Sequence, residues 1–242
     1  MALAIASACT SDGPSEPGTP PSLSVASAPA TARAATAITP GILVRVQPTS
    51  FSGSITVAID SGTGILQGTT TATASRGEAT FSDLRIGGVG RFVLRFSVAG
   101  GAGEEGGEVR SAPISVLPDS GSRLTLRVAP SITVVSGTSF ATQPVVEAKA
   151  PNGALLPYPV VVQATLVRGN GILTGGTNAT SSAGTATFNA LGAEGFSSAT
   201  LRFSAFGFQS VDASTTIQIY GLYVRPRLAN DRDTLTVARD TP

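Results

Sequence analysis

Residues 62–66 read Gly-Thr-Gly-Ile-Leu, and residues 169–173 read Gly-Asn-Gly-Ile-Leu, 107 positions later. The same shift aligns Ala79-Thr80-Phe81 with Ala186-Thr187-Phe188, and Leu84 with Leu191. It also aligns Leu94-Arg95-Phe96-Ser97 with Leu201-Arg202-Phe203-Ser204. A register held without a gap over some 35 residues marks a duplication. The period is too long for a solenoid unit and has the size of a small domain. The 242-residue chain is therefore expected to hold two similar domains, at 22–118 and 122–220, each able to fold alone.

Each copy repeats one local pattern. Ile42, Val44 and Val46 alternate with Leu43 and Arg45, and Phe92, Leu94, Phe96 and Val98 alternate with Val93, Arg95 and Ser97. In the second copy the matching positions are Val146 and Ala148, Val162 and Ala164, and Leu201, Phe203 and Ala205. A period of two with one apolar face predicts half-buried strands. Gly, Pro and Ser clusters punctuate them at the spacing of an antiparallel sandwich. Residues 30–37 have some helix propensity, but the equivalent Ile132-Thr133-Val134-Val135 favours strand. The expectation is all-β: two tandem immunoglobulin-like antiparallel sandwiches of about seven short strands each. With one Cys and no Trp, the Cys–Trp–Cys centre of antibody domains is missing, so aliphatic packing must close each core.

What is missing also narrows the chemistry. The chain has no His and a single Cys, Cys9, which excludes zinc sites of Cys and His and any nucleophile that needs an imidazole base. A net charge of +1 provides no basic face for nucleic acid. The spacing Gly62-x-Gly64-x-x-x-Gly68 departs from a dinucleotide fingerprint, and no helix follows it. No catalytic residue and no cofactor is expected. The glycine loop of residues 100–108 carries Glu104, Glu105 and Glu108. These could contribute to Ca²⁺ binding, but three carboxylates on a glycine loop fall short of the six to eight oxygens that ion takes. The blander reading is a solvated hairpin tip. The Asn230-Asp231-Arg232-Asp233 cluster places an arginine among its acids, which argues against a cation. Tyr158, in Leu-Leu-Pro-Tyr-Pro, is expected on an exposed loop. Together with the three glutamates it makes the set of binding-loop candidates.

The stretch GEATFSDLRIGGVGRFVLRFSVAG, residues 77–100, resembles the late-strand signature of bacterial Ig-like (Big) domains, found in tandem in intimin- and invasin-type surface proteins. The matching features are Thr80-Phe81, the corner Ser82-Asp83-Leu84, the turn glycine Gly90, and the alternating strand Phe92 to Phe96. The second copy departs from it, with Asn189-Ala190-Leu191 at the corner and Ala199 in place of Phe92. The resemblance implies a non-catalytic, exported surface protein in which tandem sandwiches act as a stalk that displays other domains. The alternative is an adhesin-like module that uses tip loops or an edge strand to take a surface or matrix protein or carbohydrate.

The ends fit the same picture. Residues 1–9 are small and apolar up to Cys9 and resemble a truncated bacterial lipoprotein signal. This implies lipidation at Cys9 and membrane attachment through that anchor alone. Ala6 stands where the family usually has Leu. Residues 10–21 read as a flexible Pro/Gly/Ser linker. Residues 222–242 run from Leu to Pro, as the second copy's opening does over 124–144. That makes 221–242 the start of a third repeat or a C-terminal tail, and implies further Ig-like domains in a longer chain.

Overall fold

The computed structural model describes residues 21–98, 106–213, 216–224 and 237–239. Its regular elements are all strands, as the alternation requires. The first repeat contains β1 (Ser22–Ser27), β2 (Thr31–Arg33), β3 (Ile42–Gln47), β4 (Ser54–Ser61), β5 (Ile65–Gln67) and β6 (Thr71–Thr73). It continues with β7 (Glu78–Phe81), β8 (Arg85–Gly87), β9 (Gly90–Val98), β10 (Glu108–Arg110) and β11 (Ile114–Leu117). One sheet has the order β1-β3-β7, and the other β2-β11-β9-β4-β6, with β10 also pairing β9. The opening segment is thus divided between the two sheets. Its first part, β1, is antiparallel to β3, and its second, β2, is parallel to β11.

The period-two positions face one another across the sandwich. Ile42, Val44, Val46, Phe92, Leu94 and Phe96 are all 0 % exposed. The phenyl rings of Phe81 and Phe96 join the sheets, with centroids 5.4 Å apart and tilted by 54°. Burying each such ring stabilises the fold by about 1.5–3 kcal/mol, and the tilted pairing adds about 0.5–1.5 kcal/mol. Here this aromatic pair occupies the role that a disulfide and a tryptophan fill in antibody domains.

The second repeat follows the same plan with β12 (Arg123–Val128), β13 (Thr133–Val135), β14 (Thr138–Ser139), β15 (Val145–Lys149), β16 (Val161–Arg168) and β17 (Ile172–Thr174). After these come β18 (Asn178–Thr180), β19 (Thr185–Thr187), β20 (Gly192–Glu194), β21 (Ser197–Ala205), β22 (Val211–Asp212) and β23 (Ile217–Tyr220). Its sheets run β12-β15-β19 and β13-β23-β21-β16-β18, and Phe188 meets Phe203 at 5.4 Å. Among the described residues no strand of one repeat pairs with a strand of the other. The sequence register of 107 holds from β4 through β9. It slips where the second repeat has the longer loop, 150–160 against 48–53, and where the first repeat has the longer segment between β9 and β10.

In each repeated pentapeptide the two aliphatic residues differ: Ile65 is 56 % exposed and Ile172 62 % exposed, while Leu66 and Leu173 are half-buried. The pair forms part of a marginal strand, β5 or β17, which lies against β8 or β20 outside the main sheets, so alternation points Ile outward and Leu inward. The glycines behave as expected: Gly62 and Gly169 have φ of 111° and 92°, values that glycine adopts without a Cβ penalty. The last described strands, β24 (Leu222–Val224) and β25 (Val237–Arg239), pair Leu222 with Arg239. The opening strands of the two repeats pair Ser22 with Gln47 and Leu124 with Ala148.

Candidate functional site

The candidates lie at three places: the β9–β10 end of the first repeat, the open edge beside it, and the junction between repeats. At the first, strand pairing sets Glu108 opposite Ser97 and next to Arg95. Its carboxylate meets Arg95 at 3.5 Å and Arg110 at 3.2 Å, while Arg110 also reaches Asp60 at 2.9 Å. The bond to Asp60, reinforced by the charges of Asp60 and Glu108, raises the Arg110 guanidinium above its ordinary value. Glu108 is thus the anionic member of a surface ion network, and its neighbours are cations, an environment opposed to Ca²⁺. Glu104, Glu105, Cys9 and the 230–233 cluster lie outside the described residues. Among the described residues no group of three His, Cys, Asp or Glu is placed to hold a metal.

The second place was not foreseen in residue detail. An open groove of about 560 Å³ runs along β1, lined by Leu23, Val25, Ala28, Val109 and Ala112 with Arg110 at its side. Its floor consists of half-buried aliphatic groups. The sequence signal was present but weak: β1 alternates over only six residues and has small Ser and Ala on the outward positions. In the second repeat Leu124, the counterpart of Leu23, is 6 % exposed.

At the junction, the expectation for Tyr158 is overturned. Tyr158 is 6 % exposed, and burial, assisted by the charge of Asp119, pushes its hydroxyl pKa up to about 12. The Pro-Tyr-Pro segment looked like a surface loop because both prolines lack an N–H for strand pairing. In the folded chain the residue is nevertheless buried and lies near the preceding repeat. A Cβ placed on Gly87 would lie 3.6 Å from Cβ of Tyr158.

The corner after β7 accounts for a difference between the repeats. Asp83 accepts the Thr69 backbone N–H at 3.0 and 3.2 Å and the Thr69 hydroxyl at 2.9 Å. These bonds hold its carboxyl below the ordinary value. In the second repeat the same register has Ala190 and Gly176, and Gln143 holds the corner instead. Its side-chain amide donates to the carbonyls of Phe140 and Leu191 at 2.8 and 3.0 Å. Its carbonyl oxygen accepts the Leu191 N–H at 2.9 Å.

No protein-family model matches the chain, and no curated protein matches it. Solved structures similar to it include the D00–D0 domain of intimin, at 13 % identity and a TM-score of 0.29, covering 81 % of this chain and 98 % of that one. A titin Ig tandem matches at 10 % identity and a TM-score of 0.34, covering 84 % and 100 %. Domains 4–9 of the surface layer protein SbsC match at 14 % identity and a TM-score of 0.30, covering 84 % and 32 %. The sandwich assignment of this chain rests on its own strand pairing.

Proposed function

We propose that the chain is a non-catalytic, exported surface protein, lipid-anchored through Cys9, whose separately folding sandwiches at 22–118 and 122–220 serve as a spacer. The observation that carries this reading is the way the chain traverses each unit. The parallel pairs β2–β11 and β13–β23 have each repeat's early and last strands running the same way, so the path enters at one end and leaves at the other. Units threaded in this manner extend in tandem. The test is made in the native host: intact cells are treated with protease, and fractions are compared for the parent and Cys9→Ser. The reading requires cleavage on intact cells and a shift of Cys9→Ser from membrane to soluble fraction. Protection from protease, or an unchanged partition, removes it.

A second reading is favoured by the groove along β1. An unpaired strand edge above an aliphatic floor is the geometry that takes an extended peptide as an added strand. Under that reading a partner protein of the cell surface or matrix would dock there, and Ser24→Pro would abolish its binding without unfolding the sandwich.

A further inference from the structure

We propose that the 150–160 loop is a lock that fixes the second sandwich on the first, so that the junction is rigid rather than hinged. The loop is longer than its counterpart at 48–53, and the added chain is ordered by its own bonds. Ala150 N–H donates to the Ala154 carbonyl at 2.8 Å, Gly153 N–H to Ala150 at 2.9 Å, and Leu156 N–H to Ala148 at 3.0 Å. Asn152 accepts the Ala154 N–H at 3.0 Å. Leu156 and Val160 anchor the loop in the core of the second sandwich, at 3 % and 0 % exposure. Between them Tyr158, itself buried, has its Cβ beside Gly87, on β8 of the first sandwich, 3.6 Å from where a Cβ on that glycine would lie.

The linker is held from two further sides. The Pro118 carbonyl accepts a bond of 2.6 Å from Nη1 of Arg33, in the first sandwich. The turn after β21 in the second sandwich brings Gly207 beneath Pro118, so close that a Cβ on Gly207 would come within 2.6 Å of its ring. Asp119 and Ser122 close a turn through a backbone bond of 3.0 Å. Gly121, with φ of 88°, sits inside that turn and provides a bend fixed by it.

The register identifies the new part of the device. Phe51 of the first repeat stands 107 positions before Tyr158, so both repeats carry an aromatic three residues before the strand that follows the loop. In the second repeat the first sandwich is in place to receive it. A glycine at position 87 leaves the floor beneath the tyrosine clear, and a large side chain there would push the loop off.

Spin labels at Ala58→Cys and Gln163→Cys, both exposed positions on facing units, test this in the full chain carrying Cys9→Ser. Pulsed dipolar spectroscopy reads the spread of inter-label distances. The lock requires a single narrow distribution in the parent. Tyr158→Ala and Gly87→Arg should each broaden it about twofold, toward the relative motion expected of sandwiches without a firm interface. Gly87→Arg alters the receiving sandwich and leaves the loop's own core intact, and Phe51→Ala, in the first repeat's own loop, should leave the spread unchanged. The far-ultraviolet dichroism of all variants should match the parent. A broad distribution in the parent, or an unchanged width in either Tyr158→Ala or Gly87→Arg, overturns the proposal.

Discussion

Replacing Phe203 by alanine tests whether the two sandwiches are separate folding units. The ring is 0 % exposed and packs on Phe188 across the second sandwich. Removing a buried phenyl ring costs about 3–5 kcal/mol, because the lost transfer energy adds to the cavity left behind. A domain of this size is stable by about 5–15 kcal/mol in total. The melting temperature of the second sandwich should therefore fall by roughly 12–40 °C, at about 4–8 °C per kcal/mol for domains near 100 residues. The first sandwich has its own ring pair, Phe81 and Phe96, and loses at most the contact around Tyr158. Its transition should move by only a few degrees, roughly what 1 kcal/mol produces. Differential scanning calorimetry of the full chain should show one transition displaced and one nearly fixed. Phe96→Ala should exchange their roles. If either substitution shifts a single common transition by the full amount, the units do not unfold separately and the boundaries at 118 and 122 are wrong.

Other outcomes follow from local geometry. Ala183 occupies a left-handed position at φ 46°, followed by Gly184 at 77°, the dihedral pair of an Asn-Gly hairpin. Ala183→Asn should raise the stability of the second sandwich by about 0.5–1 kcal/mol, visible as a higher upper or lower transition in the same calorimetry. Asp83 has a depressed carboxyl pKa because Thr69 donates to its charged form. Its contribution to the first sandwich is complete above the unfolded value of about 3.9 and is lost as pH falls from there through the folded value. Acid titration of Asp83→Asn should therefore show a shallower decline in that range than the parent. Gln143→Ala removes three bonds at the corresponding corner of the second sandwich. It should lower that unit's stability by about 1–3 kcal/mol in denaturant titration, with the first unit unchanged.

The strand framework could be read from the sequence because it depends on local periodicity and duplication. The run from Phe92 to Val98 alternates without a break, and Phe92, Leu94, Phe96 and Val98 on its inward face are all buried. Where the alternation was short, the reading was weaker: nothing local in Leu23-Ser24-Val25 indicates that an open groove lies beside it. Tyr158 shows a different limit. It lies beside Gly87, far away in the chain and in the other repeat, and a Pro-Tyr-Pro segment has no periodicity from which that neighbour could be inferred. Glu108 could be recognised as a carboxylate at a hairpin end, but the cations beside it come from β9 and from its own strand once the register is set. The Gln143 clamp was hidden for the same reason, since its partner Leu191 is 48 residues distant.

The parallel pairing of β2 with β11 has a mechanical consequence. In register, Thr31 lies opposite Ser115, Ala32 opposite Val116 and Arg33 opposite Leu117. Tension transmitted along the chain would draw β2 and β11 in opposite directions along their common axis. Their hydrogen bonds would then be sheared together, whereas two antiparallel terminal strands would unzip one bond at a time. The second repeat preserves this geometry in β13 and β23, with Thr133 opposite Gln218, Val134 opposite Ile219 and Val135 opposite Tyr220. Both sandwiches are thus arranged so that traction at their ends meets its greatest resistance before either sheet begins to open.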